Sequence, residues 1–302
     1  MSVTTTAPVA TARVTTGHVT VGSARVRFER HEAVSGTPLV LVHGTGSAGS
    51  GVNWGSTLPL LTPSRPVVTL DLSGTDATVD DGGPLSVEIL ARQVIAVVEE
   101  VRGPLGGPVD LLGFSMGATV AAAAAALRPD LFRRLVLVAG WVHTAGDEYL
   151  TSLFTLWRQL GASDPAAFGR SVAMTGFSRG FLNAIGRDAF EALIPNMPPT
   201  PGTLRHVELD LAVDLRELLP RITAETLVVG GTQDATVPVE HSRALHAGIA
   251  HSAYAELDAG HVMFFERARE FVDLVDDFLD ADTGADTAPG AWAAPADVSL
   301  AA

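Results

Sequence analysis

Short apolar runs alternate with stretches of helical period along most of this 302-residue chain. The apolar runs lie at residues 38–42, 66–71, 109–112, 134–139, 226–229 and 253–257. Nearly continuous apolar runs of this length are typical of strands that are buried on both faces. Helical patterns separate them, at residues 86–102, 115–127, 239–249 and 266–279. The alternation predicts an α/β fold with a mostly parallel β-sheet flanked by helices, preceded by a β-hairpin over residues 18–29.

One long interval, residues 144–221, contains no strand pattern and is rich in Phe, Leu and Pro. We interpret it as a helical cap inserted over the mouth of the sheet. The alternative is a second packed helical layer that never meets a substrate. The predicted organisation is a flexible arm over 1–16, a core over 17–143 and 222–280, and a disordered tail over 281–302.

The amino-acid composition excludes several kinds of covalent bond, nucleophile and metal site. There is no cysteine, and all 20 basic residues are arginine. Disulfides, thiolate nucleophiles, cysteine-bound metals and lysine Schiff bases are therefore excluded. No spacing of His, Asp and Glu resembles a metal site, so we expect no metal and no cofactor.

The charge and the termini indicate the class of partner. A net charge of −14 disfavours nucleic acid and anionic membranes as partners. Neither a signal-peptide pattern nor a membrane-spanning apolar run is visible. We expect a cytoplasmic protein, a monomer or a homodimer, whose partner is a small-molecule substrate.

The sequence GFSMG at residues 113–117 follows one predicted strand directly and leads into a helix. This is the context in which G-x-S-x-G forms a tight turn that exposes a nucleophilic serine, here Ser115. The serine then lies at the N-terminus of a helix, where developing negative charge is stabilised. Glycines two residues before and after it allow close approach of neighbouring backbone.

The sequence HGTG at residues 43–46 follows the strand at 38–42. Such a turn can direct a backbone N–H at a substrate carbonyl oxygen, with the residue after the nucleophile as second donor. We therefore predict an oxyanion hole formed by Thr45 and Met116. His43 could instead act as a base, but its place at a strand end favours a buried support for the loop.

An acid and a histidine follow the last two predicted strands. Asp234 lies in GGTQD, and His261 lies in DAGH. Both turns are expected at the carboxyl edge of the sheet, where open α/β sheets place their sites. We predict that His261 is the general base and that Asp234 orients it. The rival acid is Asp147, after the preceding strand.

With HGTG, GFSMG, GGTQD and AGH in this order, residues 17–280 resemble the α/β-hydrolase superfamily, and most closely its esterase and 3-oxoadipate enol-lactonase-like branch. Trp54 matches a common feature of the family, and we expect it to bind substrate together with Trp141 and His143. One departure is Asp76, which stands where the family often has a glycine in the loop after the strand at 66–71.

The resemblance implies a serine hydrolase that cleaves an ester, lactone or thioester through an acyl-enzyme. A serine nucleophile argues against the dehalogenases and epoxide hydrolases of the superfamily, which use aspartate. The apolar cap favours an apolar substrate, although Arg158, Arg170, Arg179 and Arg187 could serve an anionic one. The alternatives are a C–C hydrolase or acyltransferase of the same fold, and a non-hydrolytic protein that binds or cyclises a small molecule.

Overall fold

The computed structural model describes residues 13–33, 35–102 and 106–281. An eight-stranded sheet runs through the molecule in the order β1-β2-β4-β3-β5-β6-β7-β8. Its strands are β1 Val14–Val21, β2 Ala24–His31, β3 Leu39–Val42, β4 Val67–Asp71, β5 Val109–Phe114, β6 Phe132–Val138, β7 Glu225–Gly231 and β8 Ser252–Leu257. Strand β2 is antiparallel to β1 and β4, and the other neighbours are parallel. The predicted α/β class is confirmed.

Helices cover both faces of this sheet. The helices of the core are α1 Gly49–Trp54, α2 Leu58–Leu61, α3 Val87–Arg102, α4 Met116–Leu127, α9 Val239–Gly248, α10 Met263–Glu266 and α11 Ala268–Asp280. Between β6 and β7 lie α5 Glu148–Ser163, α6 Pro165–Gly176, α7 Arg179–Leu193 and α8 Pro201–Leu211. Short 3-10 helices occur at Pro129–Leu131, Ile194–Asn196 and Leu219–Arg221.

The strands are buried on both faces, as their sequences predict. In β3, Val40 and Val42 belong to the core cluster that contains α3 and α4, whereas Leu39 and Leu41 belong to the cluster that contains α11. Residues 116–126 of α4 are all buried, and most of them are alanine. Small side chains allow this helix to lie close to the sheet behind Ser115, which keeps the start of the helix at the carboxyl edge.

The four helices between β6 and β7 correspond to the predicted inserted cap. Each of these helices begins at an N-cap residue whose side chain accepts a hydrogen bond from a backbone N–H in the first turn. The N-cap residues are Asp147, Asp164, Ser178 and Thr200. Helix α7 is kinked at Gly186, whose φ is 76°. The division into a core and a cap at residues 144 and 221 stays a prediction.

The ends of the chain differ in part from expectation. Residues 14–16, predicted as arm, are in β1 and pair with β2, because each of their backbone groups can extend the same hairpin ladder. The rest of the predicted arm, residues 1–12, and nearly all of the predicted tail, residues 282–302, lie outside the described residues. Within the described ranges, none of the helices combines the length and the hydropathy that crossing a membrane requires.

Candidate active site

Ser115 occupies the turn between β5 and α4. Its backbone has φ 56° and ψ −123°, a conformation that costs energy for any residue with a Cβ. The N–H of Ser115 donates a 2.8 Å hydrogen bond to the carbonyl of Val138 on β6, which holds the turn in place. A Cβ on Gly113 would lie 2.2 Å from the carbonyl oxygen of Gly117, so the strained turn closes only with glycine there.

The turn brings the Ser115 hydroxyl against the imidazole of His261. His261 Nε2 lies 2.8 Å from Ser115 Oγ, and His261 Nδ1 lies 2.7 Å from Asp234 Oδ2. All three side chains are buried. An Nδ1–H that donates to the carboxylate leaves Nε2 free to accept the serine proton, and the carboxylate stabilises the imidazolium that results.

Asp234 is fixed by its own loop. Its Oδ1 accepts hydrogen bonds of 2.8 Å from the N–H groups of Thr236 and Val237, which leaves Oδ2 for the imidazole. The rival acid has a different role. Asp147 caps the N-terminus of α5 through Leu150, and its other oxygen lies 3.4 Å from His241 Nε2.

The loop that carries His261 is tied to the helices above the sheet by Glu266. Glu266 Oε1 accepts from the N–H groups of Gly260 (3.2 Å) and Ser178 (2.7 Å), and Oε2 accepts from Ser178 Oγ at 2.6 Å. Sequence reasoning assigned no role to Glu266. Its spacing from His261, within AGHVMFFE, was the available signal.

The HGTG turn lies against the serine. A Cβ on Gly44 would lie 3.1 Å from Ser115 Cβ, so the two turns are in contact. The N–H of Gly44 donates to Asn53 Oδ1 and that of Gly46 donates to His206 Nδ1, whereas the Thr45 N–H has no acceptor among the described residues. Met116 begins α4, where helical N–H groups have no acceptor within the helix. Thr45 and Met116 as the donors of an oxyanion hole stay a prediction.

His43 is a support for this loop. Its Nδ1 lies 2.8 Å from the carbonyl oxygen of Gly44, and its Nε2 accepts from the N–H of Leu72 at 3.1 Å. Both bonds together require the neutral ring with its proton on Nδ1. Complete burial lowers the pKa of His43 and thereby favours the neutral form.

A cavity of about 460 Å³ lies above Ser115, between the sheet edge and helices α6 and α7. Ser115, His261 and Thr45 form part of its wall. Among the described residues, no Asp, Glu or Arg lines it. Its large apolar side chains are Val52, Phe114, Trp157, Phe168, Val172, Phe177, Leu193, Met197, Val262, Phe264 and Phe265. A cavity of this kind accepts an apolar molecule with little net charge.

None of the three predicted substrate-binding residues forms part of this cavity wall. Trp54 is fully buried in the core, where it packs on Phe114 and Phe264. Trp141 is also buried, and its Nε1–H donates to Thr144 Oγ1. His143 is bonded to the carbonyl oxygen of Ala145 and does not reach the cavity. Proximity to a strand end does not determine which way a side chain points.

The cap arginines also stay outside the cavity. Arg170 and Arg187 lie within ion-pair distance of Glu191, Arg158 within ion-pair distance of Glu208, and Arg179 is exposed. Asp76 is exposed as well and is not part of the cavity wall, although its N–H donates to the carbonyl of Ser47, which is. Among the described residues there is no cluster of His, Asp and Glu that could hold a metal ion.

The family whose sequence profile matches residues 39–274 is the alpha/beta hydrolase family. The chain belongs to this family. A pyrrolizixenacetamide deacetylase from Xenorhabdus hominickii is 39% identical to this alpha/beta hydrolase over 247 residues, which are 81% of this chain and 91% of the relative. The resemblance to the superfamily, stated above on motifs alone, is confirmed.

Solved structures of other alpha/beta hydrolases share the fold. One, from a Medee basin deep-sea metagenome library, has a TM-score of 0.79 at 16% identity and covers 89% of this chain and 98% of its own. The enol-lactonase from Burkholderia xenovorans has a TM-score of 0.74 at 22% identity and covers 87% and 99%. At these identities the likeness concerns the fold of this alpha/beta hydrolase.

Proposed function

We propose that this alpha/beta hydrolase cleaves neutral, largely apolar carboxylic esters by a Ser–His–Asp acyl-enzyme mechanism. The observation that carries the proposal is the continuous hydrogen-bonded chain from Ser115 Oγ through His261 to Asp234 Oδ2, with links of 2.8 and 2.7 Å. This arrangement generates a nucleophile and keeps the imidazole in the tautomer that accepts a proton.

In the first step Ser115 Oγ attacks the acyl carbonyl while His261 Nε2 takes the hydroxyl proton. The N–H groups of Thr45 and Met116 donate to the carbonyl oxygen as it becomes negative. His261 then returns the proton to the leaving oxygen, and the C–O bond breaks. Water, deprotonated by His261, attacks the ester of Ser115, and His261 returns that proton to Ser115 Oγ as the bond between this oxygen and the acyl carbon breaks and the acid is released.

The walls of the cavity define the substrate class. A carboxylate in the cavity would lose its hydration without gaining a cationic partner, since none of the described lining residues is an arginine. Neutral aliphatic or aromatic acyl groups instead bury apolar surface against residues such as Trp157 and Phe168. The proposal therefore favours neutral esters over half-esters of dicarboxylic acids.

The test is a hydrolysis panel of p-nitrophenyl esters, with acetate to octanoate compared with the succinate half-ester. We expect kcat/KM for neutral esters to exceed that for the anionic one at least tenfold. Ser115→Ala abolishes turnover and labelling by a fluorophosphonate, with an unchanged circular dichroism spectrum. Labelling of Ser115 without turnover of any acyl substrate would contradict the proposal and favour a binding role.

A second candidate is deacetylation of an apolar acetamide. It is favoured by the 39% identity to a pyrrolizixenacetamide deacetylase. The same steps apply, except that His261 protonates an amine as it leaves. An N-acetyl arylamine, assayed beside the corresponding aryl acetate, distinguishes the two: comparable kcat values would identify an amidase, and a ratio far in favour of the ester would identify an esterase.

A further inference from the structure

One face of helix α8 is hydrogen-bonded to three consecutive residues: Thr45 and Gly46 of the HGTG turn, and Ser47, which follows it. Thr45 Oγ1 donates to Asp210 Oδ2 at 2.7 Å, the N–H of Gly46 donates to His206 Nδ1 at 3.2 Å, and the N–H of Ser47 donates to Thr203 Oγ1 at 3.1 Å. Positions 203, 206 and 210 share one face because their spacing follows the helical repeat. The turn therefore lies along α8.

Helix α8 is itself held firmly by the core. Arg205 forms a two-pronged ion pair with Asp80, with distances of 2.8 and 3.0 Å. At the other end, Thr144 Oγ1 donates to the backbone carbonyl of Asp210 at 2.6 Å. A Cβ on Gly202 would lie 1.9 Å from the carbonyl oxygen of Gly74, so the start of the helix is in direct contact with the loop after β4. These contacts fix α8 as a rigid support.

Burial favours the uncharged form of both titratable residues on this face. His206 accepts at Nδ1, and its Nε2 lies 2.8 Å from the carbonyl oxygen of Ser73, which requires the neutral ring. Burial lowers the pKa of His206 to about 3. Asp210 is completely buried and its Oδ1 has no partner among the described residues. Burial raises the pKa of Asp210 to about 8, against the hydrogen bond from Thr45, which lowers it.

The charge of these side chains matters because the HGTG turn is proposed to stabilise negative charge on the substrate oxygen. Thr45 from the HGTG turn and Thr144 from the loop between β6 and α5 contact Asp210, and His206 precedes it by one turn of α8. Burial favours the uncharged forms of Asp210 and His206, and no charged side chain of the described residues contributes to the pKa of Asp210. A carboxylate here would oppose negative charge developing on the substrate oxygen.

We propose that Asp210 and His206 are positioning residues that hold the Thr45 N–H in the oxyanion hole, so that α8 of the cap is a working part of the catalytic apparatus. The inference rests on the proposed function, because it concerns the donor assigned there. Neither side chain lines the cavity, so they act on catalysis through Thr45 and Gly46.

The test removes the Thr45–Asp210 hydrogen bond from either end. Asp210→Leu and Thr45→Val each lower kcat for p-nitrophenyl butyrate about 10- to 100-fold, the range expected when an oxyanion donor is misplaced. KM stays within about twofold, because the substrate ground state does not use this donor. The double variant is no slower than the slower single variant, since both substitutions remove the same bond.

Conservative and control variants sharpen the test. Asp210→Asn keeps an acceptor for the Thr45 hydroxyl and retains most of the activity at pH 7. Glu208→Gln lies on the same helix, on its exposed side beside Arg158, and leaves kcat unchanged. The wild type loses kcat above about pH 8, as Asp210 ionises, and Asp210→Asn lacks this decline.

Folded Asp210→Leu and Thr45→Val with wild-type kcat would overturn the proposal. If these variants do not fold, the pH profile of Asp210→Asn decides, and an alkaline decline identical to that of the wild type would equally overturn it. The Ser115→Ala variant distinguishes failure of the proposed function from failure of the positioning role. An active Ser115→Ala refutes the proposed function itself, whereas an inactive one beside unaffected Asp210 variants refutes only the positioning role.

Discussion

Asp234 divides its two carboxylate oxygens between its own loop and His261. Oδ1 accepts from the N–H groups of Thr236 and Val237, and Oδ2 accepts from His261 Nδ1 at 2.7 Å. In Asp234→Asn the amide oxygen has to stay at the two N–H donors, so its NH₂ group faces Nδ1. The imidazole then carries its proton on Nε2 and cannot accept the proton of Ser115.

We therefore expect Asp234→Asn to lower kcat about 1,000- to 10,000-fold with little change in KM or melting temperature. Steady-state hydrolysis of p-nitrophenyl butyrate measures this. The matched control is Asp147→Asn, which changes the acid that lies near His241 instead. A large loss of kcat in the control, or near wild-type turnover in Asp234→Asn, would contradict the assignment.

Two tryptophans provide a matched pair for mapping the substrate. Trp157 lines the cavity and Trp141 does not, yet each is buried and donates one hydrogen bond, to Ser171 and to Thr144 respectively. Replacing either with Phe removes that bond and some volume, at a cost of about 1–3 kcal/mol in unfolding free energy. Only Trp157→Phe enlarges the cavity, so only it shifts the preference among p-nitrophenyl esters toward longer acyl chains. Equal chain-length profiles for the two variants would argue against the cavity as the acyl site.

Gly117 illustrates a glycine that the fold requires. A Cβ there would lie 2.3 Å from the carbonyl oxygen of Val42 and 2.4 Å from that of His43. Gly117→Ala has to move the strand end or α4, and we expect it to lose about 3 kcal/mol or more of stability and most activity. Gly51→Ala is the control, since its Cβ would meet nothing within 4 Å. Thermal denaturation compares them, and equal melting temperatures would contradict the close packing of the Ser115 turn.

Asp210 makes stability depend on pH in a definite direction. The unfolded carboxyl ionises near its ordinary value of 3.8, whereas the folded one keeps its proton until about pH 8. Between these values the folded state binds the extra proton, so stability falls as the pH rises. The slope is at most about 1.4 kcal/mol per pH unit. Asp210→Asn has no titrating group at this position. Between pH 5 and pH 8 its free energy of unfolding therefore increases relative to that of the wild type. Urea unfolding at pH 5, 6.5 and 8 measures the gain, and a constant difference would show that Asp210 is ionised in the fold.

Local patterns in the sequence determined most of the secondary structure. The apolar runs at 38–42 and 226–229 became β3 and β7, because a strand covered on both faces requires apolar residues at successive positions. The GFSMG turn was equally predictable, because the strain at Ser115 and the close approach of Gly113 to the carbonyl oxygen of Gly117 arise within the motif itself. The strand ends then led correctly to the proximity of Ser115, Asp234 and His261.

Only the tertiary structure decided which side chains face the cavity and what supports the site. Trp54 and Trp141 follow strands at the correct edge, yet rotation of their short segments turns both into the core. Thr45 and Asp210 are 165 residues apart, and no periodicity in the sequence links them. Their contact depends on how α8 packs across the sheet edge, and such packing arises from many weak contacts between distant segments. Local sequence determines which elements form, whereas the orientation of one element on another is decided when all of them are packed together.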